Sequence, residues 1–243
     1  MEENNYGQNY GRYDFDSGYT AAGLSLNRYM ARTFGWMFVG LTITFVLAAV
    51  LAATGLVFEL FAIPSILIIL LVAEVAVVLF MSAGIQKRTV GTTRVLFTVY
   101  SILNGVVFSV YFVVYDVANL IAIFGLTALF FGAFAIYGRY TKADLSRLRP
   151  LLVGGLIFLM IAALLSFFIG MSAMERTICL VGIVVFLGFT AYDTQKIRAN
   201  YQYFYGDAAM LQKASIYSAL QLYLDFINLF LYLLRFLGRN SRR

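Results

Sequence analysis

Three carboxylates stand inside stretches of sequence that are otherwise almost wholly apolar: Glu74 in LVAEVAVVLF, Asp193 in GFTAYDTQKI and Asp225 in LQLYLDFINLFLYLLRFLG. An ionisable side chain at the middle of a membrane span costs about 2.5–3.5 kcal/mol on insertion scales, so it faces a bundle interior or a watery cavity rather than lipid. The run around Asp225 has such a face. Ser218, Gln221, Asp225, Asn228, Tyr232, Arg235 and Arg239 recur at alternating spacings of three and four residues, which sets them on one stripe of a helix whose other positions are mainly Leu, Ile, Phe and Ala. A helix surrounded by lipid has no use for that stripe, so this segment is expected to pack centrally with the stripe on partner helices.

The other two acids read differently. Asp193 stands near the end of its apolar run and, taken alone, reads as a helix-end acid pairing with Lys196 at i+3. Glu74 lies well inside its run. Arg88 follows it by fourteen residues, about 21 Å along a helix, so the two cannot pair directly. For Glu74 and Asp225 the alternative to a functional role is a structural hydrogen bond within the bundle. Asn104, in YSILNGVVFS, adds a buried amide, and with Tyr100, Tyr111 and Tyr115 it reads as interhelical bonding and interfacial anchoring.

The elements that carry these residues follow from composition. Of 243 residues 62% are hydrophobic and only 12% charged, with two prolines, against roughly a quarter charged in a soluble domain. The chain reads as an all-α, polytopic membrane protein. Runs of about twenty apolar residues, enough to cross a ~30 Å hydrocarbon layer, give seven spans: 33–56, 64–85, 93–115, 118–138, 151–170, 177–192 and 214–237. The sixth ends its apolar run before Asp193, yet no helix breaker precedes Gly206, so the helix is expected to continue into water. Residues 1–30, rich in Asn, Gly and Tyr and without an apolar core, read as a disordered cytoplasmic tail, and 239–243 as a basic C-terminal tail. With one cysteine, Cys179, and no histidine, the chain has neither an internal disulfide nor the usual zinc or haem ligands.

Orientation comes from the basic residues. Thirteen lie in the N-terminal tail and alternate loops, among them Arg28, Arg32, Lys87, Arg88, Arg94, Arg139, Lys142, Arg147, Arg149, Lys196 and Arg198, against Arg176 alone in the opposite loops. That bias puts the N-terminus in the cytoplasm. Arg235, Arg239, Arg242 and Arg243 run against it, so the seventh segment either crosses against the rule or is a re-entrant or tilted central element. The net charge of +6 is accounted for by topology and anionic lipid, not nucleic acid.

The stretches TAYDTQKI (190–197) and ALQLYLDFINLFLYLLRFLG (219–238), with AEVAVVLFMSAGI (73–85) and LFTVYSILNGVVFS (96–109), resemble the Bax inhibitor family, and the resemblance extends over residues 30–238. It implies a bacterial member in the inner membrane, seven helices with the last at the centre, and a pair of aspartates matching Asp193 and Asp225. It also implies a function: members are described as pH-sensitive calcium leak pathways, and others as regulators of membrane proteases or of cell death. Bacterial relatives can place an arginine late in the second helix as partner to the pair; here that stretch reads AGIQKR, offering Lys87 or Arg88, and the segment between the two aspartates is longer than in compact bacterial members.

Two carboxylates within hydrogen-bonding reach and poorly solvated share one proton. Losing it sets two negative charges side by side and frees hard oxygen ligands suited to Ca2+. On this reading Asp193 and Asp225 are sensor, gate and transient Ca2+ ligands, with Glu74, Arg88, Asn104, Gln221 and Asn228 as supporting polar groups. No cofactor is expected, Ca2+ and protons being the species handled. A non-conducting regulator that binds another membrane protein, such as a membrane protease, is the alternative. An intramembrane aspartyl protease would also use two acids, but no GxGD-type motif accompanies them, and no pair of broken helices or inverted repeat suggests a proton-coupled transporter.

Overall fold

A computed structural model describes residues 24–169 and 174–238, and among them every regular element is a helix. In chain order these are α1 (Leu26–Thr54), α2 (Leu56–Phe61), α3 (Ile66–Ser82), α4 (Val90–Val114), α5 (Val117–Tyr140), α6 (Arg149–Ile169), α7 (Glu175–Tyr203) and α8 (Ala208–Gly238), with single 3-10 turns at Ile85–Lys87 and Leu145–Leu148. Six are long and apolar enough to cross a membrane, and α3, with 17 residues or about 26 Å, stands at the lower limit of a span. The all-α, polytopic architecture is therefore the observed one, and six spans with α3 beside them are compatible with seven crossings; the short α2 is an additional turn of helix between α1 and α3.

Local chemistry sets the boundaries. Ser25 caps α1 by accepting from the Arg28 backbone N–H at 3.4 Å, so residues 26–30, assigned to the tail on composition, belong to the first helix. Residues 1–23, 239–243 and Gly170 lie outside the described residues. Gly55, at φ 78°, takes the left-handed conformation that stops α1, and its N–H reaches the Ala52 carbonyl. Thr89 caps α4 through Thr92 N–H at 3.1 Å. α7 continues eleven residues beyond Tyr192, as the missing breaker implied, until Gly206 at φ 94° turns the chain and Asp207 accepts from Met210 N–H at 2.9 Å to start α8.

α8 is the axis of the molecule. It packs against α1, α4, α5 and α7, and its buried residues run around its whole circumference, from Leu211 to Gly238. It is one unbroken helix beside α7, with Ser218 near Asn200 toward one end and Tyr232 against Gly182 toward the other, so it traverses the bundle and is not re-entrant. Aromatic rings fill its flanks: Phe226 meets Phe124 and Phe131, and Phe230 meets Phe45 and Phe108. With lipid as apolar as the helices, association depends on close packing. Among the described glycines, the closest backbone approach is Gly138 of α5 against Ala191 of α7.

Candidate functional site

Asp193 and Asp225 face one another across the α7–α8 contact, near enough that each lies in the other's field. The helices run antiparallel, so Asp193 with Asp225 and Asn200 with Ser218, seven residues toward the shared turn, form rungs about two turns apart. Asp193 and Asp225 are only 8% and 5% exposed, and Asp225 Oδ2 has no hydrogen-bond partner among the described residues. An ionised carboxylate accepts at both oxygens, so an unfilled buried oxygen is an open valence at the centre of the bundle.

The cations near the pair are Lys196 and Arg149. Lys196 lies in the field of both aspartates and donates to Gln221 Oε1 at 3.5 Å, which ties α7 to α8 one turn from the acids. Arg149, at the start of α6, is the second positive charge near Asp193. Its position is held by Gln195, which accepts from Leu145 N–H at 2.9 Å and donates to the Ala143 carbonyl at 2.8 Å, fastening the turn before α6 onto α7. Lys196 was legible as the i+3 neighbour of Asp193; Arg149 was legible only as a loop charge, because nothing local in sequence links it to α7.

Arg88 is placed elsewhere. Its guanidinium donates to the Ala83 carbonyl at 3.3 Å and lies 3.6 Å from the Phe80 ring centroid, closing the end of α3. Lys87 ends the 3-10 turn that follows. Asn228, on the predicted stripe, donates back to the Leu224 carbonyl at 2.8 Å within its own helix. Glu74 and Asn104 fall outside the aspartate group: Glu74 lies in the field of Tyr100 and Tyr223, and Asn104 is one turn from Tyr100 on α4.

Toward the α7–α8 turn the pair is roofed by polar contacts between α1 and the hairpin. Thr33 and Ser215 hydroxyls meet at 3.0 Å, Asn200 Nδ2 donates to Ser218 Oγ at 3.1 Å, and Tyr201 donates to the Leu24 carbonyl at 2.8 Å while its ring packs 5.4 Å from that of Tyr29. On the other side, about two turns along both helices from the acids, Phe186 stacks on Tyr232 at 5.8 Å. The two acids are thus buried between α7 and α8, with the half-buried Lys196 one turn away. Among the described residues no third His, Cys, Asp or Glu joins the two acids.

A family model described as "Inhibitor of apoptosis-promoting Bax1" matches residues 26–242. The chain is 43% identical over 215 residues to inner membrane protein YbhL of Escherichia coli K12, covering 88% of this chain and 92% of that protein. It is also similar to uncharacterized proteins of Rickettsia prowazekii, 37% identical over 213 residues (88% and 90% covered), and of Borreliella burgdorferi, 34% identical over 214 residues (88% and 92% covered). The match takes in every described helix, from α1 to the central α8, and the chain belongs to the Bax inhibitor family.

Proposed function

We propose that the protein is a pH-sensitive pathway for calcium leak across the bacterial inner membrane, its N-terminus cytoplasmic, with a proton shared between Asp193 and Asp225 as the latch. The observation that carries the reading is the unpartnered Asp225 Oδ2, buried on the central helix beside Asp193. With the proton in place the pair bears one negative charge, which Lys196 balances. Without it, a second charge appears where little water screens it, and repulsion acts directly between α7 and α8. The same loss frees oxygens for a hard cation. Two carboxylates are too few to hold Ca2+ permanently, which suits an ion that must also leave. Localisation is supported by the likeness to a protein named for the inner membrane. The reading involves no reaction and no cofactor.

The test is purified protein in liposomes carrying a Ca2+ dye, assayed across acidic to alkaline pH. Flux above protein-free vesicles that changes with pH is expected, and Asp193→Asn and Asp225→Asn, which keep shape and hydrogen bonding but remove a titrating group, flatten the pH profile. Background flux in well-folded protein turns the assignment to a non-conducting regulator of another membrane protein, such as a membrane protease.

A further inference from the structure

Among the described residues α5 packs along α7 and α8 but makes no extended backbone contact with α1 or α4, although only Tyr115 and Asp116 separate it from α4 in sequence. α1 meets α5 through a pair of rings, Phe45 and Phe124, with centroids 4.8 Å apart. Rings of that size hold two helices apart, and toward the α4–α5 turn the facing residues become smaller: Ala49 stands one turn beyond Phe45 on α1, and Val117 two turns before Phe124 on α5. The space left is an apolar crevice of about 370 Å3, lined by these four residues, by Phe112 of α4 and by Leu120, Val46 and Ile121. Phe45 and Phe124 pack inward onto Phe230 and Phe226 of α8, whereas Val46 and Ile121 are 57% and 67% exposed, so the crevice opens onto the lipid-facing surface.

Size and chemistry select the occupant. Every lining side chain is hydrocarbon, so a polar ligand finds no hydrogen-bond partner there, and water does not fill an apolar cavity. A void within the hydrocarbon layer would cost its lining atoms their dispersion contacts. A helix is too large, since at about 10 Å across it occupies roughly 800 Å3 for each 10 Å of its length. A cavity of roughly 150 Å3 accepts benzene, and on that scale the crevice holds on the order of a dozen carbons. Its depth fits one leaflet. Phe45 lies nine residues, about 14 Å, from the end of α1, and Phe124 seven residues, about 11 Å, from the start of α5, while half of the hydrocarbon layer is about 15 Å deep. A chain that enters at headgroup level therefore ends at those rings. Residues 33–86 and 95–138 contain no Lys or Arg, so α1, α4 and α5 present no basic group to a phosphate at that end.

We propose that the crevice between α1 and α5 is a binding site for one acyl chain of a membrane phospholipid, recognised by the shape of the crevice and not through the headgroup. The chain fills the gap that Phe45 and Phe124 hold open. Through those rings it bears on Phe230 and Phe226 of the central helix, whose centroids lie 5.5 Å from Phe45 and 5.2 Å from Phe124. Phe226 follows Asp225 in sequence, so the occupant meets the ring scaffold of α8 without reaching the acids. The inference stands independently of calcium passage.

Native mass spectrometry of the full chain, extracted into detergent from bilayers of phosphatidylcholine or of phosphatidylglycerol, tests it. The expected result is one phospholipid retained per chain with either headgroup, lost in Ile121→Trp and in Ala49→Phe, whose larger side chains fill the crevice. Leu129→Trp, on the same helix at a 68% exposed position outside the crevice, keeps the lipid. Added phosphatidylcholine should also raise the thermal unfolding midpoint of the unmodified and Leu129→Trp proteins to a plateau, and leave that of Ile121→Trp unmoved. Ile121 stands at the rim, so its replacement is compatible with folding even where Ala49→Phe is not. Folded, unmodified protein that retains no lipid overturns the proposal, as does equal retention by Ile121→Trp and Leu129→Trp. A tenfold preference for phosphatidylglycerol overturns recognition of the chain alone, and a dimer that Ile121→Trp dissociates gives the crevice to a second copy instead. None of these readings depends on whether Ca2+ crosses the membrane.

Discussion

Gly138→Ala is the smallest change that should separate α5 from α7. A Cβ built on Gly138 overlaps the Ala191 carbonyl oxygen and lies 2.8 Å from its carbonyl carbon and 2.9 Å from its Cα. Ordinary contact begins at 3.4 Å, so the carbon contacts alone require a separation of about 0.6 Å, and the oxygen requires more. The obstructing atoms are backbone, which no rotamer change can move aside. Overpacking of this kind costs about 1–3 kcal/mol, and a backbone obstacle places this substitution in the upper half of that range, roughly 2–3 kcal/mol. The displaced segment carries Asp193 two residues further on, so the aspartate contact loosens with the helix pair. The assay is equilibrium unfolding of the detergent-solubilised protein. Gly125→Ala is the control: it lies on the same helix with nothing within 4 Å of the new Cβ, and should be neutral or stabilised by about 0.5–1 kcal/mol through lower unfolded-state entropy. If Gly138→Ala unfolds together with Gly125→Ala, at or above the unmodified protein, the close approach does not hold the helices and the argument fails.

Liposome flux should follow Ca2+ well above Mg2+, since an irregular oxygen cage suits the larger ion and Mg2+ gives up water reluctantly; equal rates, or an Asp193→Asn, Asp225→Asn double variant with unmodified rate and pH profile, refute the assignment of the pair. Tyr223→Phe removes the hydroxyl that meets Thr44 at 2.6 Å in the core and should destabilise the fold by about 1–2 kcal/mol in denaturant titration, with no change counting against that bond. Outside the membrane, the Ser146 side chain and backbone N–H hold the Asp144 carboxyl below the usual carboxylate range. Because its folded value is depressed, its stabilisation of the turn before α6 is present above the ordinary carboxylate value and lost as pH falls through the folded one. A 13C carboxyl titration should show a midpoint below that of free aspartate, raised part of the way by Ser146→Ala, and an ordinary midpoint in the unmodified protein refutes the cap.

The crossings were legible because a membrane imposes one length on every helix, and the central place of α8 because a 3–4 stripe with Asp225 in it has no use against lipid. α7 was legible to its end, since Gly206 is the first residue after the apolar run able to break it. The polar neighbours were harder. Lys196 could be named because it is local to Asp193, but Arg149 reaches the site only through the Gln195 contacts, which bridge about fifty residues of chain. Arg88 lies close to α3 in sequence and satisfies its own helix end. Glu74 is a third intramembrane acid, which invites grouping with the other two; the rotation of α3 about its axis, fixed by packing on α4, turns it toward Tyr100 and Tyr223 instead. Periodicity shows that a helix has a polar face, and the azimuth of that face in the bundle is a tertiary quantity. Tyr223 was hidden for a related reason, since among Leu and Phe its ring reads as core and only its hydroxyl marks the polar contact with Thr44.

The order of synthesis gives the central place of α8 a further consequence. The helix that every major neighbour packs against is the last one made. At 5–20 residues per second, roughly 150 residues separate the end of α1 from the start of α8, so α1 waits on the order of ten seconds for Tyr223 and Ser215 to satisfy Thr44 and Thr33. During that interval α1, α4, α5 and α7 surround an unfilled axis, and Asp193 is inserted before its partner acid exists. A ribosome that stops before α8 therefore releases a ring of membrane helices with its inner polar groups turned toward lipid or toward one another, which is a substrate for quality control rather than a shortened version of the protein.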